Sequence, residues 1–409
     1  MVAPRATGLD ARDDATGHPV EAPGVLGSGQ RRQRTATARL SANLGLLLLL
    51  PALLAPASGQ GLEAFFEASG QVVRGTAPET RLYWRSHIDT SRARILQAAN
   101  LAGGRRVATV LGSGLGMEIP LAELAGRFDR LVLVDLDGRS MLRSLDQVPR
   151  HLRSRVELKV MDVTSFAGAL IESIDHAVDG SSSASEAFQR LGLILDELRA
   201  GDPAQLPPSD LVVSSLLLSE IPRYPFSYAA QAVETRFGAA IRTWDRSDEF
   251  FRGLVALAVE DHVRLLASLV EPEGVIYFSD TVARGLVRRP QGEAVQRSVE
   301  ARAVPDFARL GLAGSPAEVA SAVDRLCRAE HSPAAESAAF ERILSLYRDV
   351  GPEFFEPLLP VGRLRDRSAH LGLELRGSPE SWWWLAYPCR IRAESGAFLV
   401  TNWILGLRN

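Results

Sequence analysis

Two patterns of apolar residues alternate along this chain. One is a short continuous run; the other is a stripe recurring every three or four positions. From Thr80 the helical period holds through Leu82, Tyr83, Ile88, Ile95, Leu96 and Ala99, and Gly103-Gly104 supplies the stop. Residues 106–111 (RVATVL) form a β-branched run ending at glycine, which predicts a buried strand. The same logic predicts a helix over 118–125, a strand over 130–134, a helix over 139–152 and a strand over 156–160. Helices over 166–177 and 184–200 follow, separated by Ser181-Ser182-Ser183 and ended by Pro203, Pro207 and Pro208. A fourth strand with the loop beyond it spans 210–218. A long helix capped by Ser247 spans 248–270, and a fifth strand spans 275–282.

Strand and helix in strict alternation imply a parallel sheet covered on both faces. The tail differs. Residues 285–380 read as mostly helical, most clearly at 316–327 and 334–349, and 382–392 with 398–407 read as strands joined through Ala393-Glu394-Ser395-Gly396. The expected fold is α/β: a doubly wound, mostly parallel, seven-stranded sheet with a C-terminal antiparallel hairpin and helical insertions. The expected layout is an extension over 1–60, a core over 61–283 with a helical insertion at 166–208, a helical cap over 284–379, and a hairpin over 380–409 that completes the sheet. A short amphipathic helix is expected over 62–73.

Composition narrows the function classes. With 46 Lys plus Arg against 49 Asp plus Glu, the formal net charge is -3. A dedicated nucleic-acid binder would carry a basic excess, so none is expected as partner. Cys327 and Cys389 are the only cysteines, too few for a disulfide framework or a cysteine zinc site; no metal site is expected. Residues 1–40 are rich in Gly, Pro, Ala, Arg and Asp and read as disordered. The apolar stretch 44–55 is interrupted by Pro51, preceded by Arg31, Arg32, Arg34 and Arg39, and followed by small residues. It is too short to span a bilayer comfortably, though its order matches a secretory signal. The expected location is cytoplasmic, the alternative being export or membrane association through residues 31–59.

The chemistry concentrates in Val110-Leu111-Gly112-Ser113-Gly114-Leu115-Gly116, which follows a strand. Glycines let a backbone turn sharply and approach a ligand closely. Dinucleotide loops space their glycines G-x-G-x-x-G, but here Met117 stands where the last would be. Asp135 ends the second predicted strand, where a carboxylate can accept from a ribose diol; Asp137 is the nearby alternative. Asp162 follows the third. Residues 210–222 (DLVVSSLLLSEIP) deliver a loop from the fourth, and Leu269-Val270-Glu271-Pro272-Glu273-Gly274 precedes the fifth.

Taken in order, the G-x-G-x-G loop and these segments resemble the motifs of class I S-adenosylmethionine-dependent methyltransferases, over residues 81–283 and 380–409. The resemblance implies S-adenosylmethionine as cofactor, held by Gly112, Ser113, Gly114, Gly116, Asp135, Leu136, Asp162, Val163 and Ser214, with Asp162 beside the adenine amino group. It also implies a last strand inserted antiparallel beside strand five. One departure stands out: that family carries an acid two residues before the first glycine, where this chain has Val110. Glu118 is the candidate substitute. Near the acceptor, Glu220, Tyr224 and His87 are the candidate catalytic side chains, His87 as a base. The expected reaction is methyl transfer to a small-molecule acceptor. The alternatives are a nicotinamide-dinucleotide oxidoreductase and a non-catalytic binding or scaffold protein. Trp382-Trp383-Trp384 is read as packing, since alternate strand residues face opposite ways.

Overall fold

The computed structural model describes residues 84–198, 204–238, 245–288, 356–385 and 394–408. The helices read at 62–73, 316–327 and 334–349, the apolar stretch 44–55 and both cysteines lie outside the described residues.

Among the described residues nine strands form one sheet: β1 (Val107–Leu111), β2 (Arg130–Asp135), β3 (Val156–Val160), β4 (Ser209–Ser215), β5 (Val270–Arg288), β6 (Glu356–Pro357), β7 (Leu373–Leu375), β8 (Glu380–Leu385) and β9 (Glu394–Leu407). The main path runs β3-β2-β1-β4-β5-β9-β7. The first five strands are mutually parallel; β9 runs antiparallel between β5 and β7. Fold class and the antiparallel insertion are therefore as expected from the sequence.

The helices are α1 (84–101), α2 (Leu121–Arg127), α3 (Gly138–Ser144), α4 (Ala167–Asp179), α5 (Ala184–Glu197), α6 (Arg223–Phe237), α7 (Asp245–Leu269) and α8 (Val361–His370). Successive strand residues point to opposite faces, so each strand feeds two cores. On one face Ile95 and Ala98 of α1, Leu124 of α2 and Met141 of α3 pack on Ala108, Val110, Leu133 and Val213. On the other, Leu170 of α4, Phe188 of α5, Phe226 of α6 and Leu254 of α7 pack on Leu111, Val134, Val212 and Ile276. The helices read as an insertion at 166–208 are thus part of a sheet-covering layer. Ser183 caps α5 by accepting from Glu186 N–H (3.2 Å), while the Glu186 carboxylate accepts from Ser182 N–H (2.9 Å).

Several boundaries differ from the reading above, each for a local reason. The helix expected from 118 starts at Leu121, because Pro120 occupies its N-cap. The helix expected through 152 ends at Ser144; Pro149 then separates two 3-10 turns, Leu145–Gln147 and Arg150–Arg155. The fourth strand ends at Ser215, since Leu216 adopts φ 56. The long helix begins at Asp245, which puts Ser247 inside it and not at its cap. Strand β5 is far longer than expected, 19 residues, with a register shift where residues 271–274 bulge out beside β4. Gly274 fits there because a Cβ would sit 2.9 Å from the Ser209 carbonyl oxygen. The segment read as helical from 285 holds strand at its start and end. β5 continues into its first residues as far as Arg288, and β6 and β7 are strands. β8 and β7 take successive stretches of one edge of β9.

Candidate functional site

The C-terminal ends of β1, β2, β4 and β5 lie side by side, so the loops that leave them share one rim. At β1 the glycine loop turns through Gly112, Gly114 and Gly116, with φ of 65, 45 and 62. Side chains rarely adopt these values, and space forbids them at two positions. A Cβ on Gly112 would lie 2.9 Å from Leu217 Cδ1, and one on Gly116 would lie 2.7 Å from Leu121 Cδ1. Gly116 N–H closes the turn on the Ser113 carbonyl (2.7 Å), and Ser113 N–H donates to the Val134 carbonyl of β2 (3.2 Å).

Two side chains that the sequence reading passed over hold this loop. Arg92 of α1 donates to the Met117 carbonyl (3.0 Å) and to Gln147 Oε1 (3.0 Å); Gln147 Nε2 donates to the Leu115 carbonyl (2.7 Å). Nothing in their local sequence marks them, because they act only once α1 and the turn after α3 meet over the loop.

Asp135, half-buried at the end of β2, ties that strand to the glycine loop. Its Oδ2 accepts from Gly114 N–H (2.8 Å) and its Oδ1 from Asp137 N–H (2.8 Å). Burial pushes its pKa up, and the two N–H bonds oppose that. The two carboxylate oxygens offer four lone pairs, more than the backbone N–H groups of Gly114, Asp137 and Leu136 occupy, so the carboxylate retains room for a hydroxyl donor. Asp137 is committed elsewhere: it caps α3, accepting from Ser140 N–H (3.0 Å) and the Ser140 hydroxyl (2.6 Å). Leu136 borders an open cleft of about 350 Å³ shared with Met141, Leu142, Leu158 and Val160. Asp162 turns on itself, accepting from Thr164 N–H (2.8 Å) and the Thr164 hydroxyl (2.9 Å); burial raises its pKa. Val163 beside it is half-buried. Ser165 anchors the same loop to Asp261 of α7 through its N–H (3.0 Å) and hydroxyl.

Four sequence candidates fall into other surroundings. The Ser214 hydroxyl is fully buried against α7, 2.8 Å from His262 Nε2, so it faces the helix layer and not the rim. Burial lowers the His262 pKa to about 4. His87 is 3% exposed; its Nδ1 accepts from Trp382 Nε1–H (3.0 Å) and its ring stacks on Trp384 at 4.5 Å. Burial holds its pKa near 3, so at neutral pH it is an uncharged ring locking α1 to β8, and a poor proton acceptor. Trp382 and Trp384 are accordingly packing residues. Glu220 is exposed and ion-paired with Arg223. Tyr224 is buried against Tyr228 (6.1 Å), and burial pushes its pKa up to about 12.

The sequence reading missed Asp280. It lies fully buried in β5 and accepts from Ser219 N–H (3.0 Å) and Thr281 N–H (2.6 Å). It therefore anchors the loop that leaves β4, and burial raises its pKa to about 6. Leu216 N–H adds a bond to the Ser279 carbonyl (2.8 Å). The one available signal was an acid set within an otherwise largely apolar strand run.

The Ser113 hydroxyl is buried with no hydrogen-bond partner; most buried polar groups are paired, so it calls for an explanation. Ser91 of α1 and the Tyr277 phenol of β5 are buried within hydrogen-bond reach of one another. Glu118 lies close enough for its charge to act on Tyr277; burial raises the Glu118 pKa, and the Arg92 guanidinium pulls it back. Glu118 precedes α2 and so is not a first-turn helix charge. Among the described residues no group of three His, Cys, Asp or Glu could hold a metal ion, and no helix is long and apolar enough to cross a membrane.

No family model matches this chain, and no curated protein matches it. Many solved structures of S-adenosylmethionine-dependent methyltransferases do match. An O-methyltransferase family protein from Burkholderia thailandensis is 11% identical, with a TM-score of 0.32, covering 85% of this chain and 60% of that one. A methyltransferase from Clostridium acetobutylicum is 10% identical, with a TM-score of 0.28, covering 54% and 66%. A putative methyltransferase from Bacillus halodurans is 10% identical, with a TM-score of 0.34, covering 78% and 100%. This chain thus spans less than two thirds of the first two. Scores this low carry nothing about activity. The fold assignment rests on the strand order, five parallel strands followed by an antiparallel one inserted before the edge, which is that of class I methyltransferases.

Proposed function

We propose that this chain transfers the methyl group of S-adenosylmethionine to a small-molecule acceptor. One observation carries the reading: a glycine turn at the end of β1 is bonded directly to the carboxylate that ends β2, and that carboxylate keeps capacity for a further donor. That pairing suits an adenosyl ribose, with Asp135 accepting from its hydroxyls and the backbone of Gly112, Ser113, Gly114 and Gly116 passing close behind. Leu136 and Val163 supply apolar walls for a purine, and Asp162 an acceptor for its amino group.

The residues present fit the cofactor on a second count. The unpartnered Ser113 hydroxyl, with the Glu118 carboxylate and the Ser91 and Tyr277 hydroxyls, would offer polar groups to its charged amino-acid end. When bound, the cofactor supplies a sulfonium that leaves as a neutral thioether while the methyl passes to the acceptor. The protein's part is to orient and to exclude water. Asp280 positions the Leu216–Ile221 loop, where the acceptor meets the donor. Glu220, exposed in that loop, is an acceptor contact, whereas His87, Ser214 and the buried Tyr224 take structural roles. The near-neutral net charge favours a small acceptor over nucleic acid.

Calorimetric titration with S-adenosylmethionine, S-adenosylhomocysteine and NAD tests this. Binding of the first two and not the third is expected. Binding of NAD alone would overturn the reading, and binding of none would leave a scaffold protein.

A further inference from the structure

β3 is an outermost strand, and no described strand pairs with its outer edge. A bare strand edge presents a row of N–H and C=O groups to any other chain. Proteins usually blunt such edges, yet here large apolar side chains surround it: Val160 is 52% exposed and Leu142 of α3 is 61% exposed. Both border the open cleft that also takes in Leu136, Met141 and Leu158.

We infer that this edge receives the β3 of a second copy of the chain, antiparallel, about a two-fold axis normal to the sheet and midway between the two Leu158 residues. The charge pattern selects the occupant and the register. Two-fold pairing in a continuous sheet keeps each residue on its own face. The axis must then lie level with a residue, midway between it and its copy, because only then do side chains of one face stand opposite one another. Three registers keep most of the strand paired. An axis level with residue 157 sets Glu157 against its own copy, and one level with 159 does the same to Lys159. The axis level with 158 alone sets Glu157 opposite Lys159 of the second copy, twice per dimer. It also places Leu158 against Leu158 and Val156 against Val160 on the face toward α3. Glu157 and Lys159 already lie 3.7 Å apart within one copy, and Arg130 also pairs with Glu157, so the pairs would close into a network. A five-residue strand is a small contact, and the exposed Leu142 adds apolar area beside it. Arg139 and Arg143 are exposed on the same helix and would repel across the axis; at physiological ionic strength that repulsion is screened beyond about 8 Å.

The test is sedimentation of the full chain over micromolar concentrations at that ionic strength. The wild type is expected to dimerise. Lys159→Glu gives a copy acidic at both positions, and Glu157→Lys a copy basic at both. Each alone should shift the monomer–dimer midpoint up by about tenfold. An equimolar mixture of the two should restore association, as should the double swap in one chain. A variant that merely folds badly would not recover a partner on mixing. A monomeric wild type, a single reversal that dimerises unchanged, or a mixture that stays apart would overturn the proposal.

Discussion

Replacing Asp135 with alanine separates the structural from the binding role of the carboxylate. In the ligand-free protein the change strips the partners from Gly114 N–H and Asp137 N–H, both held at 2.8 Å. An unpaired buried donor costs about 1–3 kcal/mol. The site is half-buried, so water relieves part of that, and loss of a desolvated carboxylate offsets a little more. A stability loss of about 2 kcal/mol follows, roughly 4–8 °C in Tm for a domain this large. The binding cost is greater. Two charge-assisted hydrogen bonds from a ribose diol, at about 1.5–3 kcal/mol each, amount to a loss of roughly a hundredfold to ten-thousandfold in affinity. Asp135→Asn keeps one acceptor oxygen and should fall between wild type and alanine on both scales. Differential scanning calorimetry gives the first quantity, and isothermal titration with S-adenosylhomocysteine at a temperature well below Tm gives the second. An alanine variant that binds the ligand as tightly as wild type would refute the placement of the ribose; an unchanged Tm would refute the strap between β2 and the glycine loop.

Gly116→Ala forces a left-handed conformation and a Cβ 2.7 Å from Leu121, so a loss of at least about 1–2 kcal/mol is expected by urea unfolding; a neutral result would contradict the loop geometry. Glu118→Gln should weaken S-adenosylmethionine about tenfold yet leave 5′-methylthioadenosine, which lacks the amino-acid end, unaffected. Equal losses for both ligands would remove Glu118 from that pocket. The Asp280 carboxyl is raised from 3.8 to about 6 by burial, so the folded state holds the proton more tightly than the unfolded chain. Its destabilising contribution is absent below about pH 4, grows as pH rises through about 6, and then levels off, with a ceiling of about 3 kcal/mol. Asp280→Asn should therefore gain stability relative to wild type between pH 4 and pH 6. A pH-independent difference in urea midpoints would argue against a buried, proton-holding carboxyl.

Most of the sheet was legible because its signals are local. A β-branched run such as residues 107–111 needs burial on both faces, and glycine, proline and serine mark where elements stop. The G-x-G-x-G turn and Asp135 were legible for the same reason: one short segment carries each. What was not legible depends on contacts distant in the chain. Arg92 and Gln147 reach the glycine loop only after α1 and α3 dock. His87 reads as a candidate base until Trp382, 295 residues away, donates to it. Ser214 lies beyond the apolar core of its strand but turns toward His262, a direction no run of letters reveals. Residues 285–288 and 373–375 read as helical yet pair as strand, because β9 offers them a ladder that their own composition does not announce. Asp280 sits inside its strand and not at the end as Asp135 does, and no glycine turn beside it drew attention there.

The central claim is that an adenosyl ribose rests on Asp135 behind the glycine turn. A crystal grown with S-adenosylhomocysteine tests it most directly. The expected density has both ribose hydroxyls on the Asp135 carboxylate, the purine between Leu136 and Val163, and the amino-acid end toward Glu118. Side chains filling that crevice, or a nucleoside seated elsewhere on the sheet, would contradict it.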